Sequence, residues 1–118
     1  MPATLHNLCT LELLEDALKK SEEKPVFLFK HSLNCLISAD VSKTLQTILE
    51  SADSSCEYYL VTVQTDKNIS DEIASRFSIK HETPQAIVLR HGQVVWSTSH
   101  YRINKSSIAQ AIEKALST

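Results

Sequence analysis

One glycine, Gly92, serves the whole chain of 118 residues, and that scarcity removes several activities at once. A phosphate-cradling Walker loop, a dinucleotide-binding GxGxxG turn and a nucleophile elbow all need glycines that are absent here. Nucleoside-triphosphate hydrolysis, Rossmann-type dehydrogenation and α/β-hydrolase chemistry are set aside on that ground. Charge of one sign is also missing in excess. Twelve Lys and Arg against fourteen Asp and Glu give a formal net charge of −2. No basic cluster interleaves with aromatics, so neither nucleic acid nor an anionic membrane surface is an expected partner. No apolar run approaches the roughly 18 residues that span a bilayer. The first residues, Met1 to Leu8, lack the charged and apolar regions of a secretion signal, which makes the cytoplasm the expected location. Cysteine is sparse and unpaired: Cys9, Cys35 and Cys56 form an odd, scattered set, unlike the framework of a small secreted domain, and reduced thiols are expected. The five histidines (His6, His31, His81, His91, His100) share no metal-ligand spacing with one another or with cysteine, so no metal is expected.

What is present is an ordinary globular balance, 42% hydrophobic and 22% charged, with a length that suits one domain over residues 1–118. Leu11, Leu14, Ala17 and Leu18 recur at helical spacing, and the charged stretch Lys19 to Lys24 ends that helix near Pro25. Val26-Phe27-Leu28-Phe29 is a continuous apolar run, the mark of a strand covered on both faces. Ile37, Val41, Leu45, Ile48, Leu49 and Ala52 restore a helical period. Asp53-Ser54-Ser55 reads as a loop, and Tyr58 to Val63 as a β-branched and aromatic strand, with Tyr58 and Tyr59 pointing one inward and one outward. Ser70, followed by Asp71 and Glu72, reads as a helix N-cap with acids in the first turn. Thr83-Pro84 then opens the apolar run Ala86 to Leu89, and His91-Gly92 makes a tight turn into Val94-Val95-Trp96. Asn104 caps a last helix with Ile108, Ala111, Ile112, Ala115 and Leu116 on its core face. The order is α-β-α-β-α-β-β-α, with a short extra strand near Thr4 to Leu8 as an option. It predicts an α/β, three-layer fold of thioredoxin-like type: a mixed sheet of four strands, or five with the extra one, and helices on both faces.

Chemistry concentrates at Cys35, two residues before the helical period begins. Free backbone N–H groups and the positive end of the helix dipole favour thiolate over thiol there, and the thiolate is the form that attacks a disulfide. Lys30 and His31 add positive potential if they face the same way. Ser38 occupies the place where a dithiol oxidoreductase carries its second cysteine. Its hydroxyl can donate to the sulfur or help cap the helix, and the dithiol route through this motif is closed. Cys9 and Cys56 are read as structural, since free cysteine is usually buried.

Lys30-His31-Ser32-Leu33-Asn34-Cys35-Leu36-Ile37-Ser38 resembles the KHS-x-x-CPIS signature of the YtxJ-type proteins of the bacillithiol system, the monothiol bacilliredoxins. Thr83-Pro84-Gln85 is similar to their cis-proline segment, and Gly92 to Tyr101 to a closing strand ending in Ser-His-aromatic. The resemblance runs from Leu11 to Leu116. It implies a thiol-disulfide oxidoreductase that removes a low-molecular-weight thiol, bacillithiol in that family, from mixed disulfides on cytosolic proteins. Cys35 would be the nucleophile; Ser38, Asn34, Lys30 and His31 would support it; Thr83 and Pro84 would shape the substrate groove, with His100 nearby. No bound cofactor is implied, and the small thiol is a co-substrate. Leu36 stands where the family has proline, and Asn34 where it has threonine. Two competing readings follow from the same residues: a thioredoxin-like binding module that has lost catalysis, and an iron–sulfur carrier of monothiol-glutaredoxin type. The carrier normally has glycine after the cysteine, where this chain has Leu36.

Overall fold

The computed structural model describes residues 4–52 and 55–118. Strands and helices alternate through β1 (Leu5–Asn7), α1 (Leu11–Lys20), β2 (Val26–His31), α2 (Leu36–Ser51), β3 (Glu57–Thr62) and α3 (Lys67–Arg76). The hairpin β4 (Gln85–Arg90) and β5 (Gln93–Ser99) follows, then a 3-10 turn at His100–Arg102 and α4 (Lys105–Leu116). The optional first strand forms, so the sheet has five strands in the order β1-β3-β2-β4-β5. β1, β3 and β2 run parallel, as strands linked through helices can, whereas β4 lies antiparallel to both β2 and β5. The turn at His91 and Gly92 places both residues at positive φ, 54° and 71°. A two-residue hairpin loop of matching twist requires that geometry, and it explains the lone glycine.

Two helical layers sandwich the sheet, and β2 shows how the sequence divides between them. Phe27 and Phe29 point into a core completed by Val41, Leu45 and Leu49 of α2 and by Ile108, Ala111 and Ala115 of α4. Val26 and Leu28 point the other way, against Leu14 and Ala17 of α1 and Ile69 and Ile73 of α3. Each fully buried Phe or Leu contributes about 1.5–3 kcal/mol, so this one strand anchors both layers.

The double cover corrects the expectation for the tyrosine pair. Tyr58 and Tyr59 do alternate across the sheet, but both are buried, one in each core, because neither face meets solvent. A second correction concerns α3. Its N-cap is Asp66 rather than Ser70, and Ser70 is buried inside the helix. Asp71 and Glu72 are mid-helix residues, paired with Lys67 and Arg76 one turn away. Asn104 does cap α4, accepting from the Ser107 N–H while the Ser107 hydroxyl accepts from the Asn104 N–H. Of the expected loop at 53–55, positions 53 and 54 lie outside the described residues, and Ser55 sits in a turn.

Candidate active site

β2 is hydrogen-bonded to β4 with Lys30 opposite Gln85, so the C-terminal end of β2 and the start of β4 share one end of the sheet. The loop Ser32–Cys35 leaves the first and the Thr83-Pro84 segment enters the second. The Thr83–Pro84 peptide bond is cis. The carbonyl of Pro84 accepts from the backbone N–H of His100 at 3.0 Å, which ties the 3-10 turn to the proline.

Cys35 is the N-cap of α2, with extended backbone and a partly exposed side chain. The thiol closes no capping hydrogen bond onto the helix. The Ser38 N–H nevertheless holds its pKa below that of an ordinary thiol; desolvation opposes it, and the Ser38 hydroxyl and Ile37 N–H add smaller lowering contributions. These are the unpaired donors of the first helical turn, and an anion at the cap is the group they stabilise.

Ser38 is fully buried and works in two directions. Besides acting on the sulfur, its Oγ accepts from the Ser32 N–H at 3.1 Å, so the residue in the second-cysteine position also fixes the loop leading to the nucleophile. Gln64, just beyond β3, completes that brace. Its Nε2 donates to Ser32 Oγ at 2.7 Å, and its Oε1 accepts from the Leu33 N–H at 3.0 Å. Asn34 is exposed, and its backbone N–H donates to Ser32 Oγ at 3.4 Å.

The two residues ahead of the loop go to different places. His31 is half-buried on the α2 side, its ring against Phe29, and Nε2 shares a 2.8 Å hydrogen bond with Thr62 Oγ1. Burial lowers its pKa, which favours the neutral ring. Lys30 faces the opposite layer. It is fully buried beneath α3, with Nζ donating to the carbonyl of Ser70 at 3.3 Å. The potential expected from Lys30 and His31 at the thiol has no part in lowering the Cys35 pKa, which comes from the helix end and Ser38.

His100 is exposed at positive φ, with Nδ1 3.9 Å from Glu82 Oε2. Its neighbour Tyr101 is the larger presence at the thiol. The Tyr101 hydroxyl donates to Asp40 Oδ2 of α2 at 2.7 Å. That bond, above all, raises its pKa, and the Cys35 charge adds to the effect. Neither Gln64 nor the Tyr101–Asp40 pair is marked in the sequence, because each acts across 31 or 61 residues. Leu33, Leu36 and Tyr101 stand exposed around the thiol, Leu36 most of all at 84%.

The other cysteines sit apart. Cys56 precedes β3, whose first residue pairs with the first of β2, and so lies at the opposite end of the sheet from Cys35. Burial pushes its pKa up to about 12. Cys9, expected to be buried, is instead exposed just ahead of Thr10, the N-cap of α1, and all three thiols are free. Among the described residues no group of three or more His, Cys, Asp or Glu side chains is placed to hold a metal ion. No helix among them is long and apolar enough to cross a membrane.

A partly exposed thiol of lowered pKa at a helix cap, at the same end of the sheet as a cis-proline and without a partner thiol in the motif, is equipped for disulfide exchange through one sulfur. Comparison with known proteins agrees. The family model described as monothiol bacilliredoxin BrxC matches residues 6–108. A solved protein with a thioredoxin fold, proposed as an oxidoreductase, superposes with a TM-score of 0.80 at 34% identity, covering 91% of this chain and 92% of its own. Thioredoxin from Malassezia sympodialis has a TM-score of 0.78 at 14% identity, covering 98% of this chain and 94% of its own. Trypanosoma brucei brucei thioredoxin gives 0.77 at 13%, covering 100% of this chain and 96% of its own. The last two are likenesses of fold alone.

Proposed function

This chain belongs to the monothiol bacilliredoxin family of thiol-disulfide oxidoreductases, and from that premise we propose that it strips bacillithiol, or a closely similar small thiol, from mixed disulfides on cytosolic proteins. The Cys35 thiolate attacks the sulfur of the small thiol in the mixed disulfide. The S–S bond to the protein substrate breaks, the substrate cysteine leaves as thiolate and takes up a proton, and a new disulfide joins Cys35 to the small thiol. No net oxidation occurs in that exchange. A second low-molecular-weight thiol then attacks the small-thiol sulfur, releasing Cys35 as thiolate and a disulfide of two small thiols.

The observation that carries this reading is the environment of Cys35: N–H groups of α2 that favour the thiolate, and a buried Ser38 where a resolving thiol would stand. With serine there, the adduct on Cys35 cannot collapse into an internal disulfide within the motif and has to be cleared from outside. Thr83 and Pro84 form the strip along which the substrate chain lies, Asn34 and His31 shape the loop, and Lys30 supports the strand from the other side.

The test is mass spectrometry of the reduced protein after incubation with bacillithiol disulfide, with Cys35→Ser as control, followed by transfer from a bacillithiolated model protein. An adduct on Cys35 is expected, lost in Cys35→Ser, together with Cys35-dependent release of the model protein's free thiol. An intact fold with neither adduct nor transfer would leave a binding module in place of the enzyme.

A further inference from the structure

Between the end of β2 and the start of α2 the chain runs Ser32-Leu33-Asn34-Cys35, with neither glycine nor proline to dictate its path. Side chains fix it instead. Each of the N–H groups ahead of the nucleophile has an acceptor: Ser38 Oγ for Ser32 at 3.1 Å, Gln64 Oε1 for Leu33 at 3.0 Å, and Ser32 Oγ for Asn34 at 3.4 Å. The first two acceptors come from outside the loop. Ser38 is buried in α2, whereas Gln64 is exposed in the turn that follows β3.

Gln64 is itself held in place. β3 runs beside β2 as far as the pair His31–Thr62, and the Val63 N–H donates to the His31 carbonyl at 3.0 Å, one bond past that pair. The Asp66 N–H closes the turn onto the Thr62 carbonyl at 2.8 Å. From that base the Gln64 amide reaches the loop with both arms, Nε2 donating to Ser32 Oγ at 2.7 Å while Oε1 accepts from the Leu33 N–H. A planar amide that donates to one residue and accepts from the next fixes both the position and the rotation of that stretch. The consequence falls on the Ser38 hydroxyl, which has one proton and two lone pairs. The Ser32 N–H points at this oxygen, so its proton is turned away from Ser32, and the hydroxyl acts on Cys35 as a donor that favours the thiolate.

We infer that Gln64 is a positioning residue for the nucleophile: by holding Ser32 against Ser38, it aims the Ser38 hydroxyl proton at the Cys35 sulfur. Gln64 touches no reacting atom. It acts through two successive contacts, Gln64 on Ser32 and Ser32 on Ser38. A Ser38 hydroxyl released from the Ser32 N–H is free to turn toward a backbone carbonyl, the common alternative for a helical serine, and is then lost to the sulfur. The inference rests on Cys35 as the exchanging thiol, as proposed above. Its test reads the acidity of that sulfur with no small thiol present, so it can fail while the exchange reading stands, and the reverse.

The experiment follows alkylation of Cys35 by iodoacetamide against pH in the whole reduced protein, read at the Cys35 peptide by mass spectrometry. Gln64→Met keeps the length of the side chain and removes both hydrogen bonds. It should raise the midpoint by about half a pH unit, the size of one modest hydrogen bond. Thr65→Val, in the same turn, should leave the midpoint where it is. In a Ser38→Ala background, Gln64→Met should add no further shift. An unmoved midpoint in Gln64→Met, or a shift of equal size with and without the Ser38 hydroxyl, overturns the inference. Amide hydrogen exchange supplies a second reading that needs no change at Ser38. Gln64→Met should speed exchange at Ser32 and Leu33 and leave the amides of β2 and β3 at their wild-type rates. An unchanged rate at Ser32 overturns the inference, and so does faster exchange throughout both strands, which would make Gln64 a residue of general stability.

Discussion

Lys30→Met removes a charge that the fold holds at a disadvantage. Lys30 is fully buried between β2 and α3, and its hydrogen bond to the Ser70 carbonyl is 3.3 Å long, a thin return for a group with three donors. Burial lowers its pKa from 10.5 to about 8, against a partial pull upward from Asp71. His81, beside Ser70, is itself depressed, first by burial and then by Lys30. At 1.36 kcal/mol per tenfold in proton affinity, the folded state binds the Lys30 proton about 3 kcal/mol less tightly than the unfolded chain does. Between pH 8 and 10.5 the unfolded chain therefore carries more protons, and this residue makes stability rise with pH by about that amount. Cys56 and Tyr59 work oppositely. Their pKa values are raised, mainly by burial, so their contributions fall as pH climbs past their ordinary values. Those contributions are common to both proteins and cancel in the difference between wild type and Lys30→Met. The assay is urea unfolding under reducing conditions at a series of pH values from 7 to 10.5. Lys30→Met should match or exceed the wild type at pH 7, and its advantage should shrink by about 3 kcal/mol toward pH 10.5. Parallel pH profiles, with a constant difference, would refute the claim that the ammonium is desolvated.

Ser38→Ala should move the midpoint of Cys35 alkylation with iodoacetamide to higher pH, because the hydroxyl's share of thiolate stabilisation goes while the backbone N–H remains; an unmoved midpoint would place all the effect in the helix end. Cys56 should resist alkylation in the folded protein and react only as fast as the chain unfolds, read by mass spectrometry of Cys35→Ser, in which Cys9 alone should label readily. Gly92→Ala meets nothing within 4 Å, so its cost comes from the backbone at φ 71°. It should destabilise by about 1–2 kcal/mol in urea while leaving Cys35 reactivity intact.

The element order was legible because strands and helices here differ in both length and period. A continuous run as short as Val26 to Phe29, set off by Pro25, suits a strand with helices on both sides. In a doubly covered strand Lys30 must share the face of Val26 and Leu28, so its burial under α3 follows from alternation. Ser70 misled for a physical reason. Ser-Asp-Glu has the chemistry of a cap, but those side chains pair within an established helix, while the true cap, Asp66, turns its carboxylate back to the Thr62 N–H at 3.4 Å. The nucleophile was legible because its activation is local, set by the turn of helix that follows it. Gln64 and the Tyr101–Asp40 pair were not, since each acts only once distant segments meet.

Cys35 as the cap of α2, rather than a residue within it, also bears on how an adduct departs. When an outside thiol attacks the small-thiol sulfur, Cys35 is the leaving group, and sulfurs of low pKa leave faster. The Ser38 and Ile37 N–H groups that favour the thiolate before the first exchange receive the negative charge again at the end of the second. Expulsion is helped by the same dipoles as attack, which suits a sulfur that must let go of its cargo without a neighbouring thiol to force it off.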